Sequence, residues 1–413
     1  MIAHFANGNV RAVLASVCIT GVGVVSPLGS SRDTFRDRLL AGESGVKELT
    51  GFDPAGAHSR IAAQVADFNP LQWIPAMKLR RMDEAAQYGL VAAGEAFNDG
   101  AVHLPAGGSD DTGVVLGTFS AGGRATAEFL QGFLTSGPTG APALLFNSTV
   151  ANAAASTAGL ELKLRGPNTT VSQKEASGLA AIATATDFIV DGRALAIAAG
   201  GVDAVYEPFF RAHDRFGVLS VTPPRPFDED RSGFVLGEGA YALIVEPASR
   251  AADRGARPYA TVLGLGASGD SVPTNAWPAT GDAIRRTIRL ALEDAAVEPS
   301  DVSVIYASAN GAPGLDDIEA EVLFELFGPR PMVTSIKGAV GESGAASAAA
   351  CAAACLCGRT GQVPPVTGLA RPSQAASRLQ LVRNASRAPG DLVLINGIAS
   401  GGALLAMLLR VEC

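Results

Sequence analysis

Cysteine and histidine, which carry much covalent and metal chemistry, are few in this 413-residue chain. There are five cysteines, Cys18, Cys351, Cys355, Cys357 and Cys413, and four histidines, His4, His58, His103 and His213. Cys355 and Cys357 stand one residue apart, with no histidine or second cysteine pair at zinc-ligand spacing. The cysteines therefore read as small core residues, and no metal site is expected. The glycines of ITGVGVVSPLG (19–29) suit a turn but do not form GxGxxG with a downstream acidic residue, so no bound cofactor is expected. Lys174 and Glu175 stand at the head of the helical stretch EASGLAAIATATDFIVDG (175–192). A carboxylate in a first turn is stabilised by the helix dipole by about 0.3–1 kcal/mol. It can also act as a nucleophile, as in glycosidases. A lysine in such a turn is ordinarily solvated or salt-bridged.

The elements that must position these residues follow a rhythm of strand, glycine turn and helix. VCITGVGVVS (17–26), TGVVLGTF (112–119) and ALAIAAGG (194–201) are strand candidates. DEAAQYGLVAAGEAF (83–97) and 175–192 are helices; in the latter Leu179, Ile182, Ala183, Thr186 and Ile189 recur at helical spacing. The second part restarts the rhythm: YATVLGLGAS (259–268) resembles the first strand, and DVSVIYASANG (301–311) and DLVLINGIASGG (391–402) mirror the second and third. Alternation of this kind predicts parallel sheets covered by helices. It divides the chain into a leader (1–16), a first half (17–257) and a second half (258–413). The Ala-rich run GAASAAACAAAC (344–355) suits a closely packed buried helix.

Hydrophobic residues make up 47% and charged residues 17%, yet no uninterrupted apolar run reaches the length of a membrane span. The opening MIAHFANGNVRAVLAS lacks the core and cleavage site of a signal peptide, and the chain is expected to be cytoplasmic. A net charge of −8 argues against nucleic acid as a partner.

Several segments, taken together and in order, resemble the β-ketoacyl synthases of the thiolase superfamily. They are ITGVGVVSPLG (19–29), GPNTTVS with SGLAAI (166–182), RPFDEDRSGFVLGEGAYALIVE (225–246), SIKGAVG (335–341) and NGIASGG (396–402). The resemblance implies an α/β, thiolase-like fold of two pseudo-duplicated βαβαβαββ halves in αβαβα layers. It also implies a cysteine that carries the acyl chain, placed in a strand-to-helix turn before a Ser/Thr–Gly pair, and two histidines that support decarboxylation. In this sequence the cysteine position holds Glu175, the first histidine position holds Asn310, and the second, after Lys337…Gly341, holds Glu342. Lys337 and the acidic residues Asp316 and Glu319 are retained.

A ketosynthase shell without its condensing residues resembles the chain length factor, the ketosynthase β subunit of type II polyketide synthases. That resemblance implies a heterodimer with an active ketosynthase α subunit, formed through 166–172, and an acyl carrier protein that brings the growing chain. It also implies side chains that close the acyl tunnel. Phe129, Phe133, Leu144, Leu145 and Phe146 are the candidates, plain core packing being the alternative for each. Chain length factors commonly carry Gln at the cysteine position. The Glu here inclines the reading toward a polyene-type pathway. Two other functions fit the same residues: a stand-alone malonyl decarboxylase or acyltransferase using Glu175, and a purely structural homodimer.

Overall fold

A computed structural model describes residues 16–412. The expected leader therefore lies, apart from Ser16, outside the described residues, as do His4 and Cys413. The first half contributes the strands β1 (Val17–Val25), β2 (Thr112–Gly117), β3 (Asn168–Val171), β4 (Ala196–Asp203) and β5 (Gly239–Pro247). The second contributes β6 (Ala260–Gly269), β7 (Val304–Tyr306), β8 (Met332–Thr334), β9 (Leu392–Ile398) and β10 (Ala403–Val411).

The strand order is β3-β2-β4-β5-β1 in the first half and β8-β7-β9-β10-β6 in the second. Pairings match one for one: the three strands farthest from the junction run parallel, and the remaining neighbours are antiparallel. The sequence mirrors quoted above occupy equivalent places, β1 with β6, β2 with β7 and β4 with β9. A short antiparallel ladder between Val17–Ile19 and Ala260–Val262 joins the halves, and Gln380–Leu381 adds a last strand beside β8.

Helices connect the strands in the same way twice. They are α1 (Glu84–Asp99), α2 (Gly123–Ser136), α3 (Ala153–Glu161), α4 (Ser177–Val190), α5 (Asp282–Ala295), α6 (Pro313–Phe327) and α7 (Ala346–Gly358). Each half thus follows βαβαβαββ, the first adding α2 and the helices Arg32–Leu40 and Glu207–Arg215. Strand alternation sorts the core into layers. Val114, Leu116 and Ile244 point outward to α1 and α3, whereas Val115 and Val245 point inward. Leu394 and Leu408 point outward to α5 and α6, whereas Ile395, Met407 and Leu409 point inward. The inward sets share one core with α4 and α7, which gives the αβαβα order. Among the described residues no helix is long and apolar enough to cross a membrane.

Composition of the middle layer follows from its thickness. Every residue from Ala346 to Cys357 is buried, so small side chains are required on all sides of α7. α4 and α7 approach closely at Gly178, where an added Cβ would lie 2.8 Å from both the Cβ and the backbone N of Ala348. Gly178→Ala replaces a glycine in the first turn of α4, a gain of at most about 1 kcal/mol. It also overpacks a site bounded by backbone, a cost of about 1–3 kcal/mol. The second effect is expected to win, so urea denaturation should show a lower midpoint for Gly178→Ala.

Candidate functional site

The turn from β3 into α4 brings Glu175 inside. Its backbone makes a single tight turn over Lys174–Ala176, fixed by Ser177, whose hydroxyl accepts from Gln173 N at 2.8 Å. Lys174 adopts φ +48°, the left-handed region that a non-glycine residue enters only under constraint. Glu175 is buried and accepts two hydrogen bonds from Ser400, from its N–H at 3.0 Å and its hydroxyl at 2.9 Å. Burial, with the charge of Glu342 adding to it, pushes the Glu175 carboxyl up to about 7.

The loop after β7 carries Asn310, and the first turn of α6 holds that loop still. Asp316 accepts from the backbone N–H groups of Asn310 (3.0 Å), Gly311 (3.1 Å) and, from the 225–246 segment, Phe227 (2.7 Å). Glu319, one turn on, accepts from Ser308 N and from Asn396 Nδ2, each at 2.9 Å. The retained acidic pair thus anchors backbone rather than facing a substrate.

Glu342 follows the single helical turn Lys337–Val340 and Gly341, whose φ of +74° turns the chain inward. An added Cβ at Gly341 would meet the Gly237 backbone at 2.8 Å, so glycine is required there twice over. Glu342 N donates to Val235 O at 2.7 Å, and Gly237 N donates to Glu342 O at 2.8 Å, tying this turn to the 225–246 segment.

Asn310 and Glu342 are bonded to each other, and Glu175 lies near enough to feel the charge of Glu342. Asn310 Nδ2 donates to Glu342 Oε2 at 2.6 Å, and Lys337 Nζ donates to the same oxygen at 2.8 Å and to Ser308 Oγ at 3.1 Å. Ser343 N–H donates to the other Glu342 oxygen at 3.1 Å. Burial pushes the Glu342 carboxyl up, while Lys337, Asn310 and Ser343 pull against it. Lys337 and Glu342 are both almost wholly buried, so this is an ion pair closed within the chain.

The described cysteines lie in the core, and burial raises their thiols: Cys18, Cys355 and Cys357 to about 12, and Cys351 well above its ordinary value. None is a thiolate nucleophile. Among the described histidines, His58 is exposed beside Asp214, and His103 is exposed. His213 packs on Phe209 with ring centroids 4.4 Å apart, and its Nδ1–H donates to Phe209 O at 2.9 Å. Burial lowers its pKa against the bond to Phe209, and the charge of Lys174 adds to the lowering. No group of three or more His, Cys, Asp or Glu side chains among the described residues is arranged to hold a metal.

Sequence reading missed Ser400 and Ser308. Ser400 lies in NGIASGG, and its one signal was a hydroxyl in a glycine-rich turn. The tunnel candidates sit elsewhere, on α2 and the following short helix Ala143–Ser148. Phe129 and Phe146 pack with ring centroids 5.6 Å apart, and Leu145 is half-buried. Phe133, Leu144 and Phe146 are 43%, 54% and 60% exposed, so plain core packing within this chain does not account for them.

Residues 15–251 match the beta-ketoacyl synthase N-terminal domain and residues 259–370 the C-terminal domain. The chain is 31% identical to 3-oxoacyl-[acyl-carrier-protein] synthase 2 of Coxiella burnetii (strain RSA 493 / Nine Mile phase I), over 94% of this chain and 96% of that one. It is 33% identical to the tetracenomycin polyketide synthase ketoacyl synthase beta subunit of Streptomyces glaucescens, over 96% of this chain and 98% of that one. Among solved structures, the ishigamide ketosynthase/chain length factor superposes with a TM-score of 0.92 at 32% identity, covering 97% of this chain and 100% of that chain. With both domains matched and the duplicated five-layered fold in place, the chain belongs to the beta-ketoacyl synthase family.

Proposed function

We propose that this chain is the non-condensing, chain-length-setting partner of an active ketosynthase, its halves 17–257 and 258–413 acting as one shell. The observation that carries the reading is the state of the old catalytic positions. A buried carboxyl stands where acyl transfer needs a thiolate, and an amide and a carboxylate stand where it needs two imidazoles. All three are held in bonds within the chain. A carboxyl could store an acyl chain only as an anhydride, which water destroys far faster than a thioester. The same argument weighs against a stand-alone acyltransferase using Glu175.

A partner subunit has a surface to meet. β3 ends the first half's sheet and, among the described residues, pairs only with β2, so its outer backbone edge can take a second strand. The hydroxyl of Thr170 on this strand is buried with no hydrogen-bond partner among the described residues. The exposed side chains of Leu130, Phe133, Leu134, Leu144, Phe146 and Val150 form the kind of apolar surface that marks an interface. In this reading the active subunit covers that surface, the phenylalanines reach its acyl tunnel from the side, and an acyl carrier protein delivers the chain to the active subunit. The similarity to a ketoacyl synthase beta subunit and to a ketosynthase/chain length factor supports it.

Co-expression with a cognate ketosynthase tests the reading. The two chains are expected to co-purify as a heterodimer, and Phe133→Ala with Phe129→Ala is expected to shift product length by at least one extension unit. Failure to pair, or unchanged products from a stable variant complex, would overturn it. Decarboxylation of malonyl-carrier substrate by the purified chain alone, lost in Glu175→Ala, would replace it with the stand-alone enzyme. A product with fully conjugated double bonds would place the complex among the polyene-type systems.

A further inference from the structure

Two segments of the second half meet over the head of α4. The turn Ala399–Gly402, between β9 and β10, is bonded to the loop that follows β6. Asp270 N donates to Gly402 O at 2.8 Å, and Gly401 N donates to Ala276 O at 2.9 Å. The fit is close: an added Cβ at Gly402 would lie 2.1 Å from Asp270 O, and one at Gly401 3.0 Å from Thr274 O. The loop and the turn therefore form a single flap.

Two adjacent residues of the first half fasten this flap. Glu175 takes both the N–H and the hydroxyl of Ser400. From the same turn the Lys174 ammonium reaches the other side of the flap, donating to Thr274 O, to Asn275 Oδ1 at 3.2 Å and to Ser400 Oγ at 3.2 Å. The Ser400 hydroxyl thus donates to a carboxyl and accepts from an ammonium, a chain of charge-assisted bonds across the boundary between the halves. The Lys174 ammonium also lies over the Phe119 ring, with Nζ 5.5 Å from the centroid. Its left-handed backbone is the kind of conformation that persists only where surrounding contacts dictate it, and these contacts do so.

We propose that Lys174 and Glu175 are a bolt that keeps the flap shut over the Glu342–Lys337–Asn310 set, so that no carrier-borne acyl thioester enters this subunit's own site. A thioester on a phosphopantetheine arm would have to take Ser400 from Glu175 and Thr274 from Lys174 together. The acyl chain and the thioester offer Glu175 no donor, and the thioester carbonyl is only a neutral acceptor for Lys174, so neither fully replaces these bonds. The identity of the excluded ligand rests on the chain-length reading, whereas the bolt itself rests on the contacts just given.

Hydrogen exchange read by mass spectrometry on the full chain tests it. In Lys174→Ala, and separately in Ser400→Ala, peptides covering 270–276 and 399–402 are expected to exchange at least tenfold faster, with β7 and α7 unchanged. No acceleration there, or a uniform acceleration along the chain, overturns the bolt. A second measurement uses iodoacetamide and a thiol placed at the site, with the wild-type chain as the background for its own cysteines. Glu175→Cys is expected to be alkylated at least tenfold more slowly than Lys174→Ala/Glu175→Cys, and equal rates overturn the bolt. Neither measurement involves a ketosynthase, so a failed bolt beside a heterodimer that forms leaves the chain-length reading standing, and the converse holds.

Discussion

Replacing Lys337 by methionine is expected to cost about 3–5 kcal/mol of folding stability, the range for a buried ion pair that loses one partner. Methionine fills the space of the aliphatic stem, so little of that cost comes from packing. It comes from Glu342, whose charge would keep only Asn310 Nδ2 and Ser343 N–H while remaining almost wholly buried. Ser308 Oγ would lose a donor as well, though it would still accept from Ile398 N at 3.1 Å. A lysine-to-methionine change on the surface would by comparison stay within about 0.5 kcal/mol. The companion variant Lys337→Met/Glu342→Gln removes the stranded charge and keeps an oxygen for Asn310, so it is expected to recover most of the loss. Urea denaturation of the single and double variants reads both effects. A Lys337→Met midpoint within error of the wild type would mean that Glu342 does not balance this lysine. Lys337 would then be available for chemistry, and the site would not be the closed remnant described above.

What made the fold legible is repetition of apolar runs. β1, β2, β4 and their counterparts β6, β7 and β9 are apolar-rich segments, all but β7 carrying glycine within them, and their mirrored order can be read without coordinates. Leu179, Ile182, Thr186 and Ile189 announce the buried face of α4 and are buried in it, with Ala183 at its margin. Contacts across the boundary between the halves were not legible. Ser400 meets Glu175 from 225 positions away, and no local pattern ties a serine in a glycine turn to a particular carboxylate. The same limit hid the destination of Lys174, which periodicity treats as an ordinary first-turn lysine. Phe133, Leu144 and Phe146 show a different limit. A stripe of apolar residues has the same spacing whether it faces a core or another chain, and only the exposure of these three separates the two.

Glu175→Gln is expected to stabilise the folded chain above neutral pH and to flatten its pH dependence. The sign follows from proton binding. The folded-state pKa of about 7 lies above the ordinary 4.5, so between those values the folded chain holds more protons than the unfolded one, and stability falls as pH rises. Above pH 7 the native chain carries the full cost of ionising a buried carboxyl, on the order of 3 kcal/mol at about 1.4 kcal/mol per pKa unit. The groups that face Glu175 set that value in opposite directions: Glu342 raises it, while Ser400 and Lys174 lower it. Glutamine removes the ionisation and keeps the shape. Its oxygen accepts from Ser400 N–H, and its amide donates to Ser400 Oγ, which turns from donor to acceptor. Below pH 5 that change leaves the variant equal to the native chain or slightly weaker. At pH 8–9 it is expected to be more stable by about 2–3 kcal/mol. The difference between the two chains is the quantity to follow, because Asp316 and Asp83, pushed up by burial to about 7 and about 6, bend both profiles alike. Urea midpoints at several pH values between 5 and 9 supply it. A difference that stays constant with pH would mean that Glu175 does not titrate in this range. A carboxylate that is ionised throughout would be a permanent anion under the flap, and a thiolate or malonyl group could not be brought against it at any pH.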